Sequence, residues 1–315
     1  MRLSLGERSR VAAFLTCLEA SLDRHLAGGL VPKRIVVQRS HEAIEPAHVE
    51  YLEPMSLHTE IRVAQDSSTW PTEAASLTQE LCRQAVTERG VFLIALSGGR
   101  TPEQLYRRLA STPFCNEGDW SSTQFFFSDE RCVSPDHPES NFHLANETLF
   151  RPLVIPSHRI HPMACEHEAT ADIAARDYER LLRTVSKTPP EGWPALDLVM
   201  LGIGEDGHTA SLFPGTNAVQ ERRRCVTVGY APSEPRTRLT LTLGVINQAT
   251  VVLFLVTGAA KAGIVKTILE PQQEADRLLP AALVQPERGR LIWLLDPPAA
   301  AQLTQHRERN SPRPI

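Results

Sequence analysis

From about Glu60 onward, apolar residues fall into short continuous runs separated by stretches with helical spacing. Val91 to Leu96, Gln124 to Phe127, Leu198 to Leu201, Val251 to Thr257 and Leu291 to Leu295 read as strands, as do Cys225 to Val228 and Arg238 to Thr242. Strands that are apolar at nearly every position belong in a sheet covered on both faces. Between them, Ala74, Leu77, Leu81 and Ala85 share one helix face, with Pro71 near its start and Gly90 at its end. Further helices are predicted over Pro102 to Ala110, over Asn141 to Phe150, after Thr170 with a stripe through Ala174, Tyr178, Leu181, Leu182 and Val185, and over Ala259 to Leu269. This alternation predicts an α/β fold with a mostly parallel central sheet and helices on both faces.

The first residues follow another pattern. Val11, Leu15, Leu18, Leu22 and Leu26 lie at helical spacing between Ser9 and Gly28-Gly29. A short apolar run, Ile35 to Val37, is followed by a polar stretch, Ser40 to Ser56, which reads as a linker. The expected organisation is an N-terminal extension with an amphipathic helix over 1–58, an α/β domain over 59–303 and a frayed polar tail over 304–315. Length alone, 315 residues, would suggest two domains, but one α/β unit of roughly 240 residues plus an extension accounts for it.

Composition narrows the function classes. Apolar residues make up 42% and charged residues 22%, which excludes a wholly disordered chain. A net charge of −4 argues against a nucleic-acid partner and means that any anion site is local. No apolar run approaches the length of about 20 residues that spans a membrane, and no secretory signal is expected. The six cysteines form no C-x-x-C pair, so free thiols in a reducing cytoplasm are expected.

In open parallel sheets ligands bind beyond the carboxyl ends of the strands, so the loops there carry the candidate chemistry. Ser97-Gly98-Gly99-Arg100-Thr101-Pro102 joins a strand to a helix. Its glycines let the backbone N–H groups approach an anion, and Ser97, Arg100 and Thr101 add donors. Because Ala95-Leu96-Ser97-Gly98-Gly99 approaches a nucleophile elbow, a nucleophilic Ser97 is the rival reading. Ser128-Asp129-Glu130-Arg131 leaves an aromatic strand. It is either a solvated turn or a loop from which Arg131, held by a neighbouring carboxylate, reaches a ligand oxygen.

The third loop runs from Gly202 to Pro214. Its G-x-G-x-x-G pattern is a weak dinucleotide signal, since Pro214-Gly215 interrupts the helix such a site needs. Asp206 lies two residues before His208. Histidine titrates near neutrality and serves as a general base, and a nearby carboxylate orients it. Downstream, Arg238 at a strand start and Lys261 at a helix start are candidate anion contacts or else solvated ends. His158, His161, Cys165 and His167 are ligand-type residues close in sequence, but their spacing matches no zinc pattern and no metal site is expected.

Together these loops, with Ser140-Asn141, Arg236-Thr237-Arg238-Leu239-Thr240-Leu241-Thr242 and Thr257-Gly258-Ala259-Ala260-Lys261-Ala262, resemble the 6-phosphogluconolactonase family over roughly Glu60 to Ala300. The resemblance implies hydrolysis of 6-phospho-D-glucono-1,5-lactone without a cofactor, and a fold shared with glucosamine-6-phosphate deaminases. Deaminases continue the Asp-Gly-His loop with Ile-Ala-Phe-Asn-Glu-Pro, and their acidic residue falls on Phe213 here. Sugar-phosphate-sensing domains share the fold too, but no helix-turn-helix is evident. On this reading His208, Asp206 and Arg131 are catalytic. Ser97, Gly98, Gly99, Arg100, Thr101, Arg238 and Lys261 bind substrate and its phosphate. The division of phosphate contacts among Arg100, Arg238 and Lys261 stays open, as does whether Arg131 meets the lactone or the phosphate. The expected partner is the small sugar-phosphate lactone, with the chain a monomer or small homo-oligomer.

Overall fold

The computed structural model describes residues 59–304 in full and, before them, the backbone of two strands, β1 (Pro32–Val36) and β2 (His48–Tyr51). The helix expected over Val11 to Leu26 and the tail beyond residue 304 lie outside the described residues. The chain divides into two compact units, Met1–Leu57 and His58–Ile315. In the first, β1 and β2 pair antiparallel, with Ile35 opposite Val49. β1 overlaps the predicted apolar run. β2 lies within the polar stretch read as a linker, because a ladder is held by backbone groups and does not require apolar side chains.

The second unit is built on a six-stranded, wholly parallel sheet. Its strands are β3 (Thr59–Val63), β4 (Phe92–Leu96), β5 (Thr123–Phe127), β7 (Leu198–Leu201), β10 (Val251–Val256) and β11 (Arg290–Leu295). They lie in the order β3-β11-β10-β7-β4-β5. Every residue of β4, β7 and β10 is buried, as the continuous apolar runs predict. Phe254 and Trp293, opposite each other in the β10–β11 register, stack with ring centroids 4.0 Å apart.

Helix α1 (Trp70–Arg89) has Pro71 in its first turn and ends at Gly90, whose φ of +74° lets its N–H reach the carbonyl of Val86. Ala74, Leu77, Leu81 and Ala85 are buried on it as the spacing predicts. Among the described residues, the other α-helices longer than four residues are α2 (Arg100–Leu109), α3 (Asn141–Ala145, continued by a π-helical turn Asn146–Phe150), α4 (Ala171–Val185) and α5 (Ala262–Leu269).

Three segments depart from the single-sheet expectation. Asp129–Arg131 is a strand, β6, and it pairs antiparallel with β9 (Thr237–Leu241), which pairs antiparallel with β8 (Val226–Tyr230). The two sheets meet at Ser128. Its N–H donates to Leu96 O at 2.7 Å and its carbonyl accepts from the N–H of Leu241 at 2.8 Å. The small sheet therefore stands at the carboxyl end of the large one.

The cysteine expectation is corrected by a disulfide between Cys132 and Cys165, with Cα atoms 4.6 Å apart. Cys82, Cys115 and Cys225 are free thiols. The bonded pair is separated by 33 residues, so only the fold brings the end of β6 to the connector before α4. On chain-entropy grounds, closing such a loop stabilises the fold by about 3–4 kcal/mol. Reduction with dithiothreitol is expected to lower the free energy of unfolding in urea by that amount. A Cys132→Ser, Cys165→Ser variant should match the reduced protein and respond no further to reductant. Unchanged stability on reduction would show that the bond adds nothing.

Candidate functional site

The chain runs outward from β4 to β5 and then returns to place β7 on the other flank of β4. The crevice between the carboxyl ends of β4 and β7 is thus the topological switch point of the sheet, the place where such folds bind ligands. A cleft of about 160 Å³ opens there, lined by Ser97, Gly98, Asp129, Arg131, Asn141, Gly202, Ile203, His208 and Ala210.

Buried tyrosines clamp the strand ends. The hydroxyl of Tyr106 donates to Ser97 O at 2.6 Å and accepts the Ser97 N–H at 3.0 Å. The hydroxyl of Tyr178 accepts the Phe127 N–H and donates to His161 O, both at 3.0 Å. Burial pushes both phenols far above their ordinary range, so each stays neutral and able to donate. After Ser97, Gly98 comes so close to Asn141 that a Cβ there would lie 1.7 Å from Asn141 Oδ1. Only a glycine lets these loops meet.

The loop after β7 presents the histidine. His208 Nδ1 lies 2.6 Å from Asp206 Oδ1, and the same oxygen accepts the His208 backbone N–H at 3.1 Å. Burial pushes the Asp206 carboxyl up, but the His208 backbone N–H, its charge and its ring outweigh burial and hold the group below its ordinary value. An ionised carboxylate only accepts hydrogen bonds, so in the neutral imidazole Nδ1 carries the proton and Nε2 is the bare nitrogen. A Cβ on Gly204 would lie 2.0 Å from Nδ1, so the second glycine of the G-x-G pattern makes room for this ring and not for a pyrophosphate. No helix opens within the loop. The next one, Asn217–Gln220, begins beyond Pro214-Gly215. The Phe213 ring packs on His208 with centroids 4.5 Å apart.

Arg131 lines the cleft, but its predicted carboxylate partner is not what holds it. The guanidinium donates to the carbonyl of Glu139, while Glu130 takes the backbone N–H of Arg131 at 2.8 Å. Arg238 lies opposite Arg131 in the β6–β9 ladder and is only 7% exposed, so it is not the solvated strand end considered from spacing. Nε of Arg131 and Nη1 of Arg238 are buried without hydrogen-bond partners. Burial, then the neighbouring Arg131, pulls the Arg238 guanidinium below its ordinary value, against Asp129, Glu139 and Glu130.

Gly99, Arg100, Thr101, Arg238 and Lys261 are not part of the cleft lining. Gly99 precedes α2 with a φ of +102°. The Thr101 hydroxyl is 2.8 Å from that of Thr257, which joins this loop to the one bearing Lys261. Two of the four connector residues considered for metal are engaged elsewhere. Cys165 is in the disulfide, and His161 Nε2 is 2.7 Å from Gln124 Oε1.

Residue-by-residue reading missed four members of the site: Asp129, Glu130, Asn141 and Ser211. Asp129 Oδ2 accepts the Ser211 hydroxyl at 2.6 Å, and Asn141 Nδ2 donates to Asp129 O at 2.8 Å. These contacts tie the three loops together. The one signal for them was the Ser140-Asn141 pair following Ser128-Asp129-Glu130-Arg131.

Fold and cleft together define a parallel α/β protein with a histidine–carboxylate pair at the sheet's switch point. Residues 65–293 match the family model described as glucosamine-6-phosphate isomerases/6-phosphogluconolactonase. A 6-phosphogluconolactonase of a Nostoc species is 41% identical over 220 residues, covering 70% of this chain and 88% of that protein. That of Rattus norvegicus is 40% identical over 243 residues, covering 75% and 92%. The solved 6-phosphogluconolactonase from Trypanosoma cruzi superposes with a TM-score of 0.71 at 29% identity, covering 80% of this chain and all of that one. The chain belongs to the glucosamine-6-phosphate isomerase/6-phosphogluconolactonase family.

Proposed function

We propose that the chain hydrolyses 6-phospho-D-glucono-1,5-lactone to 6-phospho-D-gluconate, the reaction named for its Nostoc and rat relatives. The observation that carries this reading is the Asp206–His208 pair, which leaves Nε2 as a bare base in the cleft. Nε2 takes a proton from water as the water oxygen bonds to the lactone carbonyl carbon. Arg131 stabilises the negative charge that develops on the carbonyl oxygen. The bond from that carbon to the ring oxygen then breaks, and the ring oxygen takes the proton back from His208. Water, substrate and the imidazole balance the reaction, so it calls for no metal, nucleotide or covalent intermediate.

Ser97, Gly98, Gly99, Arg100 and Thr101, with Arg238 and Lys261, hold the phosphate. Its binding energy positions the ring against His208. The buried, unpartnered nitrogens of Arg131 and Arg238 support an anion at this end of the molecule. A carboxylate-oriented histidine serves a serine as well as water, but the hydrogen bonds of Ser97 run from its backbone to Tyr106 and not to His208, which favours water as the nucleophile. Residues 59–303 form the catalytic unit, with 1–58 an extension and 304–315 a tail. The chain works as a monomer or small homo-oligomer, without nucleic acid or membrane, and its Cys132–Cys165 disulfide is not the free-thiol state expected of a reducing cytoplasm. Among the described residues, no helix is long and apolar enough to cross a membrane.

The deaminase reading is weaker. A solved monomeric glucosamine-6-phosphate deaminase is similar at 23% identity, which speaks for the fold alone, and the side chain packed on His208 is the phenyl ring of Phe213 and not a carboxylate. The test is hydrolysis of freshly generated lactone followed against its spontaneous background, with ammonia release from glucosamine 6-phosphate measured in parallel. Lactone hydrolysis well above background and no ammonia is the expected result. Ammonia release would favour the deaminase, and binding without turnover would favour a sensor.

A further inference from the structure

We propose that Glu130, which takes no part in the chemistry above, is the positioning residue that sets Arg131 and Asn141 in the cleft; the proposal rests on the hydrolase reading. Glu130 is 3% exposed, and its carboxylate is the meeting point of two chain segments. Oε1 accepts the N–H groups of Arg131 at 2.8 Å and Asn141 at 2.7 Å. Oε2 accepts the Phe142 N–H at 2.8 Å and the Ser140 hydroxyl at 3.0 Å. Ser140 is itself the N-cap of α3, since its Oγ accepts the His143 N–H at 3.1 Å. The carboxylate thus fastens the first turn of α3 to the backbone of β6 at Arg131.

The consequences reach both walls of the cleft. Asn141, the first residue of α3, fills the space over Gly98 and holds the Asp129 carbonyl. The Arg131 guanidinium reaches the Glu139 carbonyl one residue before the cap. If the Glu130 bridge is lost, the strand bearing Arg131 and the turn bearing Asn141 are no longer in register.

All four partners are donors, and only a carboxylate accepts from all of them. An amide at this position turns its NH2 toward at least one N–H group, whichever way it is flipped. Burial pushes the carboxyl up against the pull of those four bonds, so its place is secured by geometry and not by exposure to water.

The test is a double-mutant cycle on kcat/KM for the lactone. E130Q is expected to lower kcat/KM by about 10- to 100-fold, the scale of a misplaced catalytic group. In a background already carrying Arg131→Ala and Asn141→Ala, the same change should cost less than about twofold, because the groups it positions are gone. A purely structural loss of active protein would appear equally in both backgrounds, and equal losses overturn the proposal. Should E130Q not fold, E130D, which keeps the charge but withdraws it by one methylene, enters the same cycle. Crystal structures of the wild type and the variant give a readout independent of turnover. Arg131 and Asn141 should be displaced while β4, β5 and β7 superpose, and unmoved side chains overturn the proposal. A wild type that hydrolyses no lactone would sink the hydrolase reading alone.

Discussion

Replacing His208 with alanine is expected to lower kcat by about 10²- to 10⁴-fold, the usual worth of a positioned general base. Affinity for the product, 6-phosphogluconate, measured by calorimetry, should change by less than about threefold, since the phosphate is gripped elsewhere. The argument runs through the tautomer. Asp206 lies 2.6 Å from Nδ1 and stays ionised below its ordinary range, held there by His208 itself. That fixes the proton on Nδ1 and the lone pair on Nε2, the arrangement a base requires before it meets water. Packing against Phe213 fixes the ring plane, and Gly204 leaves the ring the space it occupies. The same carboxylate is in place to stabilise the imidazolium once it forms. A variant that keeps a third or more of wild-type kcat would remove His208 from the chemistry.

The Asp206–His208 pair was legible because it is local. Asp206 and His208 are two residues apart, and the glycines around them announce a backbone in tight turns. The parallel strands were legible for a different reason. Burial on both faces leaves uninterrupted apolar runs such as Val251 to Val256, and each run ended within a residue or two of its strand. What pattern could not reveal was set by distant partners. Asp129, Glu130 and Arg131 read as a charged turn, yet they form a strand on β9, and Asp129 and Glu130 are buried in it because Ser211, Ser140 and Asn141 donate to their carboxylates. Arg238 stands in a strand of alternating Thr and Leu with nothing local to mark it as buried. Cys132 and Cys165 share no motif, and only the return of the connector beside β6 brings them together.

Replacing Arg238 with alanine should raise KM by about 10- to 100-fold, the worth of a charge-assisted hydrogen bond in a closed site, and leave kcat within about threefold. Two guanidinium groups facing each other across a ladder repel. Each also leaves a buried nitrogen unpartnered, at a cost of about 1–3 kcal/mol. A protein keeps such an arrangement when negative charge completes it, and the substrate brings it twice, as the phosphate for Arg238 and as the charge that develops on the carbonyl oxygen for Arg131. The stability expectation has the opposite sign to the kinetic one. Without substrate, the alanine variant loses a like-charge contact and an orphan donor, so its urea midpoint should equal or exceed that of the wild type. Arg238→Lys keeps the charge but not the planar fork, and should lie between the two in KM. If kcat collapses while KM stands still, Arg238 belongs with Arg131 at the carbonyl oxygen, and the phosphate must be held by the loops bearing Thr101 and Lys261.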